Sequence, residues 1–194
     1  MPAMDTRQFL VSDPLRLAGR SVLAKTLFVL AGTLALALAS QIAVPMYPVP
    51  VTMQTFAITM IGVLYGWRLS ALTVLVWLGE AALGAPVLAN GSGGLAPFVG
   101  PTAGYLASFP VIAAVAGYLA ERGWTGERYV RSFAAHLAAN ILCLAIGGAY
   151  LAYLLGGEKA WLLGIAPFIL GACLKSALAA ALLKGLQQFR AKDA

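Results

Sequence analysis

Lys175 is the residue whose setting most needs a chemical explanation. It stands in a run over residues 160–183 that carries no other charge. An ammonium in hydrocarbon is unfavourable enough that it is expected to face the protein interior and serve a specific partner. No acidic residue falls in the middle of an apolar stretch, and Glu80, near the end of one, is the one candidate for an ion pair. A ligand carboxylate would otherwise fill the role, and that is the expectation adopted. Snorkelling, or a structural pair with Glu80, is the competing explanation.

Uncharged polar groups supply the rest of a candidate site. Thr52 and Gln54 open an apolar stretch, Asn90 and Ser92 sit in a glycine-rich segment, and Tyr105 follows Pro101, Thr102, Ala103 and Gly104. The amide of Asn90 both donates and accepts, which suits the edge of a urea or lactam ring. Gly93 and Gly94 permit close approach of backbone to a ligand. Gln54 suits either ligand contact or bracing of the proline-rich segment before it. Trp77 suits either an apolar ligand wall or a lipid-facing anchor.

His136 has no Cys, Asp, Glu or second His spaced to complete a metal site. It reads as a packed, hydrogen-bonded histidine or one near the membrane interface, and Asn140, one turn on, shares its face. Cys143 and Cys173 form no CxxC pair and read as packing residues. The sequence holds no GxxxxGK[ST] loop, no HExxH, and no paired carboxylates or nucleophile–base pair in an apolar stretch. Neither ATP hydrolysis by this chain nor enzyme chemistry is expected, and no cofactor is implied.

Membrane helices must position these residues. Of 194 residues, 61% are hydrophobic and only 10% charged, against about a quarter charged in a soluble domain. The mean hydropathy is +0.86. So few charges cannot cover a water-soluble body. The net charge of +6 comes in short clusters between apolar runs instead of a basic stripe, which argues against a nucleic-acid partner.

Between Lys25 and Arg68 there is no charge. That is too long for one span of roughly 20 residues, and Pro45, Pro48 and Pro50 cannot all lie within a helix. Helices are expected over 22–43 and 52–65, with an extended segment over 44–51 between them. Gly66, Trp67 and Arg68 form a turn, where Trp67 suits a membrane interface. A short helix over 69–83 follows. The glycine-rich stretch 84–101 carries no ionised side chain. It is expected to fold back over the protein, because unpaired backbone is not tolerated against lipid. Further helices are expected over 102–120, 132–155 and 160–186, with a charged turn over 121–131 and irregularity at Pro167 and Gly171.

The fold class is thus an all-α integral membrane protein of six transmembrane helices. Residues 1–21 read as a cytoplasmic tail with room for a short interfacial helix over 6–17, residues 22–187 as the membrane domain, and residues 188–194 as a second cytoplasmic tail. With both termini cytoplasmic, Arg7, Arg16, Arg20, Lys25, Arg68, Arg122, Arg128, Arg131, Lys184, Arg190 and Lys192 lie inside, and Lys159 alone lies in an external loop. That asymmetry sets the expected orientation. Segments 44–51 and 84–101 then face outward, where a captured molecule would arrive. Ala31, Ala35 and Ala39 recur every four residues beside Gly32, making a flat face for close helix packing, within the chain or on a partner.

The motifs PVPVTMQ (48–54), GG (93–94), GPTAGYL (100–106) and PFILG (167–171) with Lys175, in that order, resemble the BioY biotin-transporter family over about residues 20–190. The resemblance implies an S-component fold of an energy-coupling-factor (ECF) transporter, binding biotin as transported substrate at the external face of the bacterial cytoplasmic membrane. Carried over by position, Asn90 and its neighbours, Tyr105 and Lys175 line that site, Lys175 meeting the valerate carboxylate. Members of the family commonly carry an aspartate where this chain has Ala172, so one contact to the ureido ring must come from elsewhere, such as Asn90 or backbone. The implied partners are a transmembrane coupling protein, docking on the alanine face, and two cytosolic ATPases. Self-association, or work without partners, stays open. The alternatives are an S component for thiamine or riboflavin, or a non-transport membrane assembly protein. An enzyme should show a positioned nucleophile or a metal cluster, and an assembly factor should not need Lys175.

Overall fold

The computed structural model describes residues 15, 17, 19–126 and 128–192. Most of the expected N-terminal tail, and with it the interfacial helix over 6–17, lies outside the described residues. Among the described residues, five helices are long and apolar enough to cross a membrane, spanning Val22–Gln41, Gln54–Ala82, Ala103–Glu121, Tyr129–Leu155 and Gly157–Gln188.

The first helix, α1 (Val22–Gln41), starts where the Ser21 hydroxyl accepts the Ala24 N–H at 3.3 Å, an N-cap. Leu23, Leu27, Leu30, Leu34 and Leu38 point outward and stay exposed, whereas Val29, Gly32, Thr33, Leu36 and Ser40 turn inward. An exterior of leucine suits hydrocarbon and not water. Ala31 and Ala35 are exposed and Ala39 is half-buried, so the alanine row faces away from the rest of the chain.

Helix α2 (Gln54–Ala82) is not straight. Gly66 breaks it at φ 75° and ψ 165°, a conformation essentially reserved for glycine. A Cβ on Gly32 of α1 would meet both Thr73 Cγ2, at 2.6 Å, and the Tyr65 ring, at 3.1 Å. Eight residues of straight helix separate two side chains by about 12 Å. Likewise, Ser70 Oγ donates to the Ala113 carbonyl at 3.3 Å, and a Cβ on Gly62 would lie 2.7 Å from that same oxygen. The two halves of α2 therefore lie side by side, folded back at Gly66. The expected turn over 66–68 is confined to Gly66, and Trp67 and Arg68 already belong to the second half.

Between α1 and α2 the proline segment makes a loop closed by a two-residue antiparallel ladder, β1 (Ala43–Val44) with β2 (Val51–Thr52), Ala43 opposite Thr52. After α2, the stretch 84–101 packs on the protein as expected. It contains a 3₁₀ turn at Ala89–Gly91 and the short helix α3 (Ala96–Val99). Its fastenings are side-chain and backbone hydrogen bonds. Trp77 Nε1 donates to the Val87 carbonyl at 3.3 Å, and the Gly94 N–H to Ala81 at 2.7 Å. Gln41 holds the 3₁₀ turn at both ends, Nε2 donating to the Leu88 carbonyl (3.2 Å) and Oε1 accepting from the Gly91 N–H (3.1 Å).

Helix α4 (Ala103–Glu121) packs against both halves of α2. The approach is close because Gly117 faces backbone, where an added Cβ would lie 2.5 Å from the Trp67 nitrogen. Helix α5 (Tyr129–Leu155) begins three residues before the expected 132. Helix α6 (Gly157–Ala160) leads through a π turn, Trp161–Ile165, into α7 (Ala166–Lys192). This corrects the expected irregularity at Pro167 and Gly171, which both sit in regular helix. Pro167 has no N–H to give to the previous turn, and the chain absorbs this by widening one turn earlier, where the Ala166 N–H reaches back to Trp161. Helix α7 continues past 187 to Lys192.

Candidate ligand-binding cavity

A cavity of about 330 Å³ opens at the end of the molecule formed by the proline loop and the stretch 84–101. Pro48, Val49, Pro50 and Thr52 form one rim and Leu88, Ala89, Asn90 and Ser92 another. Tyr105, Leu106 and Phe109 of α4, Asn140, Cys143 and Leu144 of α5, and Phe168, Ala172 and Lys175 of α7 make the walls. Apolar walls with a few convergent polar groups are what a small-molecule site requires.

Lys175 lines this cavity from α7. Its ammonium donates to Thr55 Oγ1 at 2.8 Å and to the Thr52 carbonyl at 3.1 Å. Both acceptors are neutral, and neither belongs to Glu80, so the structural ion pair is not formed. Two neutral oxygens orient an ammonium without cancelling its charge.

Gln54 also lines the cavity, yet its amide is committed on both sides. Its Oε1 accepts from Thr52 Oγ1 at 3.0 Å and its Nε2 donates to Ser40 Oγ at 3.1 Å. It braces the start of α2 against α1. Tyr105 presents its ring to the cavity, stacked on Phe168 with centroids 6.3 Å apart. Its hydroxyl donates to the Gly164 carbonyl at 2.7 Å in the π turn. Space for that ring exists because Gly147 of α5 has no side chain; a Cβ there would collide with it. Asn90, at φ 57° in the 3₁₀ turn, borders the cavity.

Three expected contacts lie elsewhere. Trp77 is fully buried behind the wall, stacked on Phe109 at 6.1 Å. It therefore supports a lining ring and the loop carbonyl of Val87, and it is neither a ligand wall nor a lipid anchor. Gly93 and Gly94 are not among the lining residues. A Cβ on Gly93 would strike the Ala85 carbonyl, and Gly94 has φ +78°, so these glycines let the loop fold on itself.

His136 is buried as expected, but among the described residues neither ring nitrogen has a hydrogen-bond partner. Its backbone carbonyl, not its ring, takes the Asn140 amide at 2.9 Å. Both cysteines are free; Cys143 Sγ lies 3.2 Å from Ser108 Oγ. Sequence reasoning missed Thr55, Phe109, Phe168 and Asn140. Phe168 lay inside the quoted PFILG run, while nothing in the spacing of Asn140 separated a cavity residue from a partner for His136.

Residues 11–192 match the family model described as "BioY family". The chain belongs to the BioY family. A probable biotin transporter BioY of Pyrococcus horikoshii is 37% identical over 148 residues, covering 76% of this chain and 86% of that one. A biotin transporter BioY of Rhizobium etli is 41% identical over 156 residues, covering 76% and 83%. In fold, this BioY chain is similar to the crystal structure of the S-component for biotin from an ECF-type ABC transporter. The TM-score is 0.74 at 23% identity, covering 96% of this chain and 95% of that one. This BioY protein is accordingly a multi-pass membrane protein, and the expected S-component fold is the one it adopts.

Proposed function

We propose that this chain captures biotin in the cavity between the proline loop and the stretch 84–101, and carries it inward as the substrate-binding subunit of an ECF transporter. The observation that carries this reading is Lys175, an ammonium oriented by two neutral oxygens at the edge of an apolar cavity. A ligand with a carboxylate at the end of an apolar chain supplies what that site lacks. A cationic ring such as that of thiamine does not.

In this reading the halves of α2 are separate spans, giving six in all, with both termini in the cytoplasm. Support comes from the fold-back at Gly66 and from the location of Arg68, Arg122, Arg128 and Arg131 in turns or helix ends opposite the cavity end. The protein resides in the bacterial cytoplasmic membrane. A transmembrane coupling protein docks on Ala31, Ala35 and Ala39, and two cytosolic ATPases supply the energy. Asn90, Tyr105, Gln54 and Lys175 border the bound ligand, with Trp77, Gly93 and Gly94 shaping the wall and loop from behind.

Equilibrium binding of biotin to the purified, detergent-solubilised chain tests the reading. Saturable tight binding at one site per chain is expected. Folded protein that binds no biotin would show the ligand assignment to be wrong.

A further inference from the structure

The amide of Asn140 is locked in one orientation by its neighbours. Its Nδ2 lies 2.9 Å from the His136 carbonyl, and a carbonyl oxygen only accepts, so the atom facing it must be the nitrogen. The same Nδ2 lies 3.3 Å from Ser176 Oγ, whose single hydrogen goes to the Ala172 carbonyl at 2.7 Å. Ser176 therefore accepts from Asn140. Both amide hydrogens are used, and Oδ1 is left as an acceptor with no partner among the described residues.

That oxygen is not sealed away. The buried polar side-chain atoms that lack a partner belong to Thr125, Ser132, His136 and Gln187, and Asn140 Oδ1 is not one of them. Asn140 is 3% exposed and borders the cavity, so the surface it retains there is that of an acceptor. An amide free to turn would offer a donor or an acceptor at will; this one offers only an acceptor. Lys175, reaching to the start of α2, offers only donors. The cavity thus carries a fixed cation and a fixed acceptor on different helices.

We infer that Asn140 Oδ1 accepts a hydrogen bond from a ring N–H of the ligand and is a specificity-determining residue of this site. The inference rests on the biotin reading. Biotin's carboxylate, ureido carbonyl and thioether are acceptors at neutral pH, which leaves the two ureido N–H groups as its donors. A ligand without an N–H at this point leaves Oδ1 desolvated and unpaired, the more costly half of a lost hydrogen bond.

The test is a binding cycle on the purified chain, with biotin and the two lactam analogues in which one or the other ureido N–H is replaced by CH₂. Wild-type protein is expected to bind one of the lactams about 10–100-fold more weakly than biotin. Asn140→Ala is expected to weaken biotin by a similar factor and to remove most of the preference for biotin over that lactam. The isosteric Asn140→Asp can, when protonated, hold the His136 carbonyl with its hydroxyl and keep an oxygen aimed at the cavity, so it retains the preference. Equal loss for all three ligands in Asn140→Ala, or no loss at all, would overturn the inference and leave the biotin reading intact. If Asn140→Ala does not fold, loss of the preference in Asn140→Asp overturns it instead. Wild-type protein that binds no biotin would sink both.

Discussion

Lys175 donates to two neutral oxygens and lines the cavity, so its removal leaves a ligand carboxylate without a charged donor. A hydrogen bond to a charged group contributes about 1.5–3 kcal/mol. Lys175→Ala is therefore expected to weaken biotin by about 10–150-fold, while biotin carboxamide, which carries no charge, loses much less. Equal losses for the two ligands in a calorimetric titration would make Lys175 a structural residue. The position of this lysine was legible because a charge within an apolar run has few physical explanations. Asn140 was not, because an uncharged amide on a helix suits a packed interior as well as a cavity wall. Trp77 misled for a related reason. Its size and polar edge fit a ligand wall and a lipid-facing anchor equally, and its burial against Phe109 places it in neither.

Among the elements, α2 depends on one backbone conformation. Gly66 is at φ 75° and ψ 165°, where any side chain is strained by about 1–3 kcal/mol. Gly66→Ala should lower the stability of the detergent-solubilised protein by about that amount. Gly185 is the control, since it sits in α7 with nothing within 4 Å of an added Cβ. Gly185→Ala should be neutral or stabilising by up to about 1 kcal/mol, because alanine favours helix. Thermal unfolding of both variants checks the pair, and equal behaviour would contradict a reversal that needs glycine. The helices were legible from uncharged runs and proline spacing. The site of the irregularity near Pro167 was not, because a missing N–H can be absorbed at the proline or a turn before it. Nor could sequence show that Gln41 fastens the loop, since a glutamine at a helix end has no signature of its distant partners.

For the whole molecule, the proposed docking of a partner on the outward alanine row predicts that capture and transport can be separated by mutation. Ala31 and Ala35 are exposed, so Ala31→Leu and Ala35→Leu should leave biotin affinity within about twofold, as surface changes away from the site usually do. Uptake by cells that also carry the partner subunits should fall by at least tenfold, an order-of-magnitude expectation for a bulky residue on a close-packing face. Normal uptake in both variants would move the docking face elsewhere, and lost binding would mean that the row also matters inside this chain.

The bond from Lys175 to Thr52 crosses 123 positions of the chain. During synthesis, the rim made by the proline loop and the stretch 84–101 leaves the ribosome long before α7 does. Until that helix is inserted, the growing chain has an entrance without Phe168, Ala172 or the lysine behind it. The cavity is therefore among the last features of the fold to form, and a chain halted before α7 lacks Lys175 and the wall made by Phe168 and Ala172.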